Sequence, residues 1–205
     1  MGLILKVGSK NRMVGLVQKA LHLKADCIYG PLTAEAVKEF QTINGLKPDG
    51  IVGASTLTRL LGFLLIPSKR VITEIIVHCT ATPAGRDYTV DEIRDDHIHN
   101  RGWSDIGYHY VIYRDGTIHS GRDVDIAGAH CAGHNTHSIG VCYVGGCARD
   151  GVTPRDTRTA AQITSLRKLL TDLKYLYPGA KIYGHRNFAN KACPSFDAKK
   201  EFSNI

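Results

Sequence analysis

The hydrophobic period changes near residue 71, and that change splits the chain into two parts that belong to different fold classes. Before it, apolar residues recur at helical spacing, with Val14, Val17 and Leu21 on one stripe and Ala36, Val37 and Phe40 on the next. After it, Val71 to His78 is β-branched and apolar on both faces, the pattern of a strand buried inside a sheet. A chain of 205 residues has room for one small unit and one of medium size. Hydrophobic residues at 43% and charged residues at 22% mark an ordered globular protein rather than a disordered one.

The first part contains an internal repeat. Asp26-Cys27-Ile28-Tyr29-Gly30-Pro31-Leu32-Thr33 returns as Asp49-Gly50-Ile51-Val52-Gly53-Ala54-Ser55-Thr56. In each copy Asp and its neighbour supply a turn that feeds a helix, and Pro31 suits a first helical position. Gly45 and Pro48 break the second helix. The expected unit is a small three-helix bundle over residues 1–62. Residues 63–70 form a linker, whose Phe63-Leu64-Leu65-Ile66 is too apolar to sit in water.

From residue 71 to 205 strands and helices alternate, which predicts an α/β domain built on a mixed sheet flanked by helices. Thr89-Val90-Asp91-Glu92 is a capping box opening a helix through about Asn100, and Thr159-Ala160-Ala161-Gln162 opens a longer one. The longer helix carries Ile163, Leu166, Leu169, Leu170, Leu173 and Leu176 as its apolar face and stops at Pro178-Gly179. Tyr108 to Ser120, with Asp115-Gly116 at its tip, reads as a hairpin. Ser138 to Val144 and Lys181 to His185 read as further strands.

The formal charge is +7, from 26 basic and 19 acidic side chains, which favours an anionic partner without naming one. No Lys/Arg run marks a nucleic-acid tail, and no apolar stretch approaches a membrane span. Leu3-Ile4-Leu5 is too short for a signal peptide, so synthesis in the cytoplasm is expected, with thiols reduced. Six cysteines without a CxxC spacing do not form a disulfide framework.

His78 and His185 each close a strand-like run, and Cys193 follows in a loop. Two imidazoles and a thiolate make a three-ligand set for Zn2+ with a fourth position open, the arrangement of catalytic rather than structural zinc. Such an ion acidifies water to a pKa of about 7 and polarises a carbonyl, as amide hydrolysis requires. Lys191 and Tyr108 are the candidate donors to the negative tetrahedral intermediate.

The residues around these positions carry a resemblance. Val77-His78-Cys79-Thr80-Ala81-Thr82, Gly102 to Tyr110, Arg114-Asp115-Gly116-Thr117, Ser138-Ile139-Gly140-Val141 and Lys191 to Asp197 follow in order. Together they resemble the type-2 N-acetylmuramoyl-L-alanine amidases, a family shared by bacteriophage lysozyme-amidases and animal peptidoglycan recognition proteins. Asp26 to Gln41 and Gly45 to Thr56 are similar to the peptidoglycan-binding module that accompanies many cell-wall hydrolases, with Cys27 where a Gly is usual.

The resemblance implies hydrolysis of the lactyl amide between N-acetylmuramic acid and L-alanine. It also implies His78, His185 and Cys193 as zinc ligands, Tyr108 and Lys191 as catalytic residues, and His130 and Asn135 in the substrate groove. A cysteine ligand resembles the phage and animal branch rather than recycling amidases that carry aspartate. With a wall-binding module and no signal peptide, the expectation is a phage or prophage endolysin. It would be released to the wall, bind peptidoglycan as a monomer, and associate stably with neither nucleic acid nor membrane. The alternatives are a non-catalytic peptidoglycan-binding protein with a structural metal and, on charge alone, a nucleic-acid binder.

Other residues receive plainer readings. His134 and His137 are expected to be loop residues rather than ligands of a second zinc. His97 is expected to pack in the core, since His97 and His99 do not share a helix face. Strand alternation places His109 opposite Tyr108 and turns Cys79 away from the ligand side. Cys142 and Cys147 are expected to be buried thiols, and Trp103 a core anchor beneath the hairpin, with stacking on a sugar as its alternative.

Overall fold

Two buried glutamines organise the first part of the chain in the computed structural model, which describes residues 3–205. Gln18 Nε2 donates to Asp26 Oδ1 at 2.7 Å, Ile28 O at 3.0 Å and Thr33 Oγ1 at 3.1 Å, while its Oε1 accepts from Cys27 N at 3.0 Å. Gln41 repeats the pattern on Asp49 Oδ1 at 3.2 Å, Ile51 O at 2.9 Å, Thr56 Oγ1 at 3.2 Å and Gly50 N at 2.9 Å. The sequence repeat is thus a repeat of one hydrogen-bonded device, in which a helix-borne carboxamide ties down the turn that starts the next helix.

The three helices are α1 (Arg12–Ala20), α2 (Pro31–Ile43) and α3 (Ala54–Leu61). Asn11 caps α1 by accepting from Val14 N at 3.0 Å, and Pro31 opens α2. Val14, Val17, Val37 and Leu57 fill a small core beside Tyr29, whose hydroxyl donates to Gly50 O at 2.9 Å. Cys27 (φ 63°) and Gly50 (φ 67°) hold the same left-handed backbone, so the turn survives the exchange of residue type.

The chain divides into two compact units, the first ending at Pro67 and the second running from Ser68 to Ile205. The strands of the second are β1 (Glu74–Cys79), β2 (Thr82–Pro83), β3 (Tyr110–Ile112), β4 (Ile118–Ser120), β5 (Ser138–Tyr143), β6 (Gly146–Cys147) and β7 (Lys181–Gly184). Five of them form a mixed sheet in the order β4-β3-β5-β1-β7. β1 runs parallel to β5 and β7, β3 runs parallel to β5, and β3 with β4 makes the antiparallel hairpin. Strand β1 begins at Glu74, later than its apolar run suggests, and Val71 is exposed.

Helix α4 (Val90–Asp95) starts on the Thr89/Glu92 capping box and continues as a π turn over Asp96–Asn100. Its Val90 and Ile93 pack with Ile106, Val111 and Val144. Helix α5 (Ala160–Leu176) starts on the Thr159/Gln162 box and buries Leu166, Leu169, Leu170, Leu173 and Leu176. Ile163 is the exception: placed in the apolar stripe by its spacing, it is 39% exposed. The inward position one residue earlier belongs to Gln162, whose Nε2 donates to Ile112 O at 3.2 Å and Val144 O at 2.9 Å. Helix α6 (Ala198–Glu201) closes the chain.

The start of the second unit is bound to its loops. Ser68 N donates to Tyr177 Oη at 2.6 Å. Arg70 donates to Val124 O at 2.8 Å, Asn135 O at 3.1 Å, Thr136 O at 3.2 Å and Ser138 O at 3.1 Å.

Candidate metal centre and groove

β1 carries His78 near its end, β7 delivers His185 on the next residue, and Cys193 follows in the loop before α6. Parallel pairing of β1 with β7 sets Val77 against Gly184, which brings the two imidazoles side by side with ring centroids 4.7 Å apart. One ligand atom from each of His78, His185 and Cys193 lies within 4.8 Å of the other two. His78 Nδ1 is 3.8 Å from Cys193 Sγ. A nitrogen and a sulfur bound tetrahedrally to one zinc ion stand about 3.6 Å apart. The donor set therefore fits a metal of that size and softness.

The histidine tautomers can be read from the neighbours. Ser138 Oγ donates to His134 O at 2.7 Å, so it can accept from His130 Nε2 at 3.3 Å. His130 Nδ1 then accepts from His78 Nε2 at 3.0 Å. This assignment leaves the lone pair of His78 Nδ1 aimed toward Cys193, as a metal ligand needs. His130 is clamped in this role, because a Cβ at Gly128 or Gly140 would stand 2.4 or 2.5 Å from its Cδ2. Burial lowers the pKa of His78 and His130 well below the usual imidazole range, and burial followed by the nearby Lys191 charge lowers that of His185. All three rings are neutral, with lone pairs available.

A cavity of about 510 Å³ opens beside these residues, lined among others by Trp103, Tyr108, Asn135, His185, Lys191 and Cys193. Tyr108 stacks at a tilt 5.3 Å from the His78 ring, and burial pushes its phenol pKa well above 10, so it keeps its proton. His130 is buried at the cavity wall. Asn135 reaches the cavity too, but its Oδ1 accepts from His130 N and Cys131 N, each at 2.9 Å, and so shapes the loop.

Two readings of the sequence need revision. Cys79 does not stand apart from the ligands: its backbone N donates to Cys193 Sγ at 3.3 Å. The proximity of the two thiols lowers the pKa of Cys79 and raises that of Cys193. A cation held there would reverse that preference, because it would stabilise the Cys193 thiolate directly. Trp103 is no anchor beneath the hairpin. It lines the cavity, half-buried against His97 at 4.6 Å, with Arg101 over its ring. His134 and His137 lie in the loop before β5, as expected, and both meet Glu74.

The remaining histidines and thiols follow expectation. His97 is buried and its Nδ1 accepts from Gly107 N at 3.0 Å, while His99 is exposed. His109 is buried away from Tyr108, accepting from Gly140 N at 2.9 Å, and Cys142 and Cys147 are buried. Arg101 and Phe188 also line the cavity; no motif singles them out.

An α/β sheet that converges two imidazoles and a thiol beside an open groove offers a donor set that could hold a metal ion, as in a hydrolase. The chain belongs to the N-acetylmuramoyl-L-alanine amidase family, whose description matches residues 68–196, and residues 15–60 match a putative peptidoglycan-binding domain. It is 49% identical to an endolysin of Klebsiella phage KP32, over 62% of this chain and 83% of that protein. It is 48% identical to an endolysin of Escherichia phage T7, over 62% and 82%. Among solved structures, Drosophila PGRP-LB is similar at 26% identity and a TM-score of 0.56, over 68% of this chain and 84% of that one. The N-acetylmuramoyl-L-alanine amidase LysC from Clostridium intestinale aligns at 29% identity and a TM-score of 0.55, over 65% and 83%. No helix among the described residues is long and apolar enough to cross a membrane.

Proposed function

We propose that this chain is a zinc-dependent amidase of the endolysin type. It hydrolyses the lactyl amide between N-acetylmuramic acid and L-alanine, with residues 1–62 holding the wall and residues 71–205 carrying the chemistry. The observation that carries this reading is the meeting of His78, His185 and Cys193 beside the cavity that Tyr108 and Lys191 line. Zinc held by those three side chains supplies Lewis-acid polarisation of the scissile carbonyl and an acidified water.

The protein's own groups supply the rest. Tyr108 keeps its phenolic proton at neutral pH and donates it as a hydrogen bond to the oxygen on which charge develops. Lys191 lines the same cavity and brings positive charge to it. His130 holds His78 in the tautomer that ligates, and with Asn135 it shapes the wall that receives the substrate.

Mass spectrometry of products from purified muropeptides tests the bond assignment: free lactyl carboxyl groups and new L-alanine amino termini are expected. Chelation should stop the reaction and zinc restore it. Lys191→Ala should keep its metal and lose turnover by on the order of 10²–10³-fold. A fully active Lys191→Ala protein removes that residue from the mechanism, and wall binding without cleavage favours a non-catalytic binding protein instead.

A further inference from the structure

A second cluster of ligand-type side chains lies outside the centre just described. Glu74 opens β1, and register pairing sets it beside Ser138, the residue that follows the short 3-10 turn Asn135–His137. Glu74 Oε2 is 2.8 Å from His134 Nδ1 and 3.3 Å from His137 Nε2. The three ligand atoms all lie within 4.8 Å of one another. An oxygen and a nitrogen sharing one divalent transition metal stand about 2.9–3.4 Å apart, depending on whether the angle between them is octahedral or tetrahedral. Both observed separations sit at or next to that range.

We propose that Glu74, His134 and His137 form a second divalent-cation site, one that takes a late first-row metal such as zinc, cobalt or nickel. Two imidazoles and one carboxylate suit that class, whereas calcium and magnesium prefer oxygen alone. The side chains are 16%, 27% and 36% exposed in the order Glu74, His134, His137, so a bound ion keeps positions for water.

The ligands are held in advance. Arg70 fixes the carbonyls of Asn135 and Thr136, and Asn135 Oδ1 ties the turn back to His130 and Cys131. His134 is further packed on Phe188 at 3.8 Å between ring centroids, and Thr136 Oγ1 lies 3.3 Å from His137 Nδ1. Opposing charge comes from Arg70 and from Lys181, which faces Glu74 across the β1–β7 pairing, and the Glu74 carboxylate offsets it.

An ion there joins the first residue of β1 to the loop that carries His130. His134 is also where the hydrogen-bond chain from His78 ends, since Ser138 donates to its carbonyl. The site does not depend on the catalytic reading, because it shares no ligand with it.

The test is a metal count on untagged protein equilibrated with zinc and then freed of excess ion. Two ions per chain are expected for the unaltered protein, and one each for His137→Ala, Glu74→Gln and Cys193→Ala. Cobalt separates the two sites. Thiolate-to-cobalt charge transfer should accompany one equivalent and vanish in Cys193→Ala, while His137→Ala should lose only the equivalent that lacks this band. The second equivalent should also raise Tm in the unaltered protein and leave that of His137→Ala unchanged. A count of one in the unaltered protein, or two ions retained in both His137→Ala and Glu74→Gln, overturns the proposal and leaves a hydrogen-bonded His–Glu group.

Discussion

The two units hold themselves together in opposite ways. In the first, each stabilising device is local: Gln18 and Gln41 bind turns only 8 to 15 residues ahead of them. In the second, the decisive contacts join distant segments, as where His78 meets Cys193 across 115 residues and Arg70 meets the turn before β5 and the first residue of that strand across 65 to 68. Local devices can be duplicated by copying a short stretch of sequence, which is what the repeat shows. A centre assembled from remote segments exists only once the sheet has formed.

Acid should separate the units most strongly. Burial lowers the pKa of His97 and His109 from 6.5 to about 4. The unfolded chain then binds more protons than the native one between those values, so stability is full above about pH 6.5 and falls as pH drops toward 4. Each histidine contributes up to about 3 kcal/mol to that loss. Both belong to the second unit, and so does the sole tryptophan, Trp103. Urea titrations followed by tryptophan fluorescence should show a large drop in midpoint between pH 7 and pH 4.5. A midpoint that does not move contradicts the burial argument.

His130→Ala sharpens the contrast next. It frees the Nε2 of His78 and should weaken metal retention by about 10- to 100-fold, measured by chelator competition, while leaving the first unit's stability unchanged. Within the first unit, Gln18→Ala and Gln41→Ala should each cost about 1–3 kcal/mol, since each strands a buried set of polar partners. Near-equal losses by chemical denaturation would show that the two copies are energetically as well as geometrically equivalent. The smallest effect is a gain. Cys27→Gly relieves a left-handed backbone at a residue with a Cβ and should add up to about 1 kcal/mol, read as a rise in the first unit's midpoint.

What the sequence discloses follows the same division. The repeat, both capping boxes and the proline at the start of α2 are short patterns with short-range causes, and each appears in the structure where the residues place it. His78, His185 and Cys193 have no common local signature; only the motifs around them, shared with a family, single them out, and β1–β7 pairing is what brings the histidines together. The meeting of Glu74 with His134 and His137 could not be read at all, because it depends on which residue of β1 stands opposite Ser138. Strand alternation misplaces Cys79 for a related reason: the partner that reaches it, Cys193, comes from a loop and not from the sheet. Helical spacing misplaces Ile163 because it cannot tell a buried glutamine from a neighbouring isoleucine when the glutamine alone can satisfy two strand carbonyls.

Arg70 bears on how such an enzyme can be cut and recombined. Its guanidinium laces Val124, the Asn135–Thr136 turn and the first residue of β5 into one frame, although the pattern of strands suggests that the catalytic part starts one residue later. A shortened protein beginning at 71 would lose that lacing and slacken the groove's rim, whereas one beginning at Ser68 would keep it. Grafting a foreign targeting module is therefore safest upstream of Ser68, with the serine and the arginine travelling alongside the hydrolase.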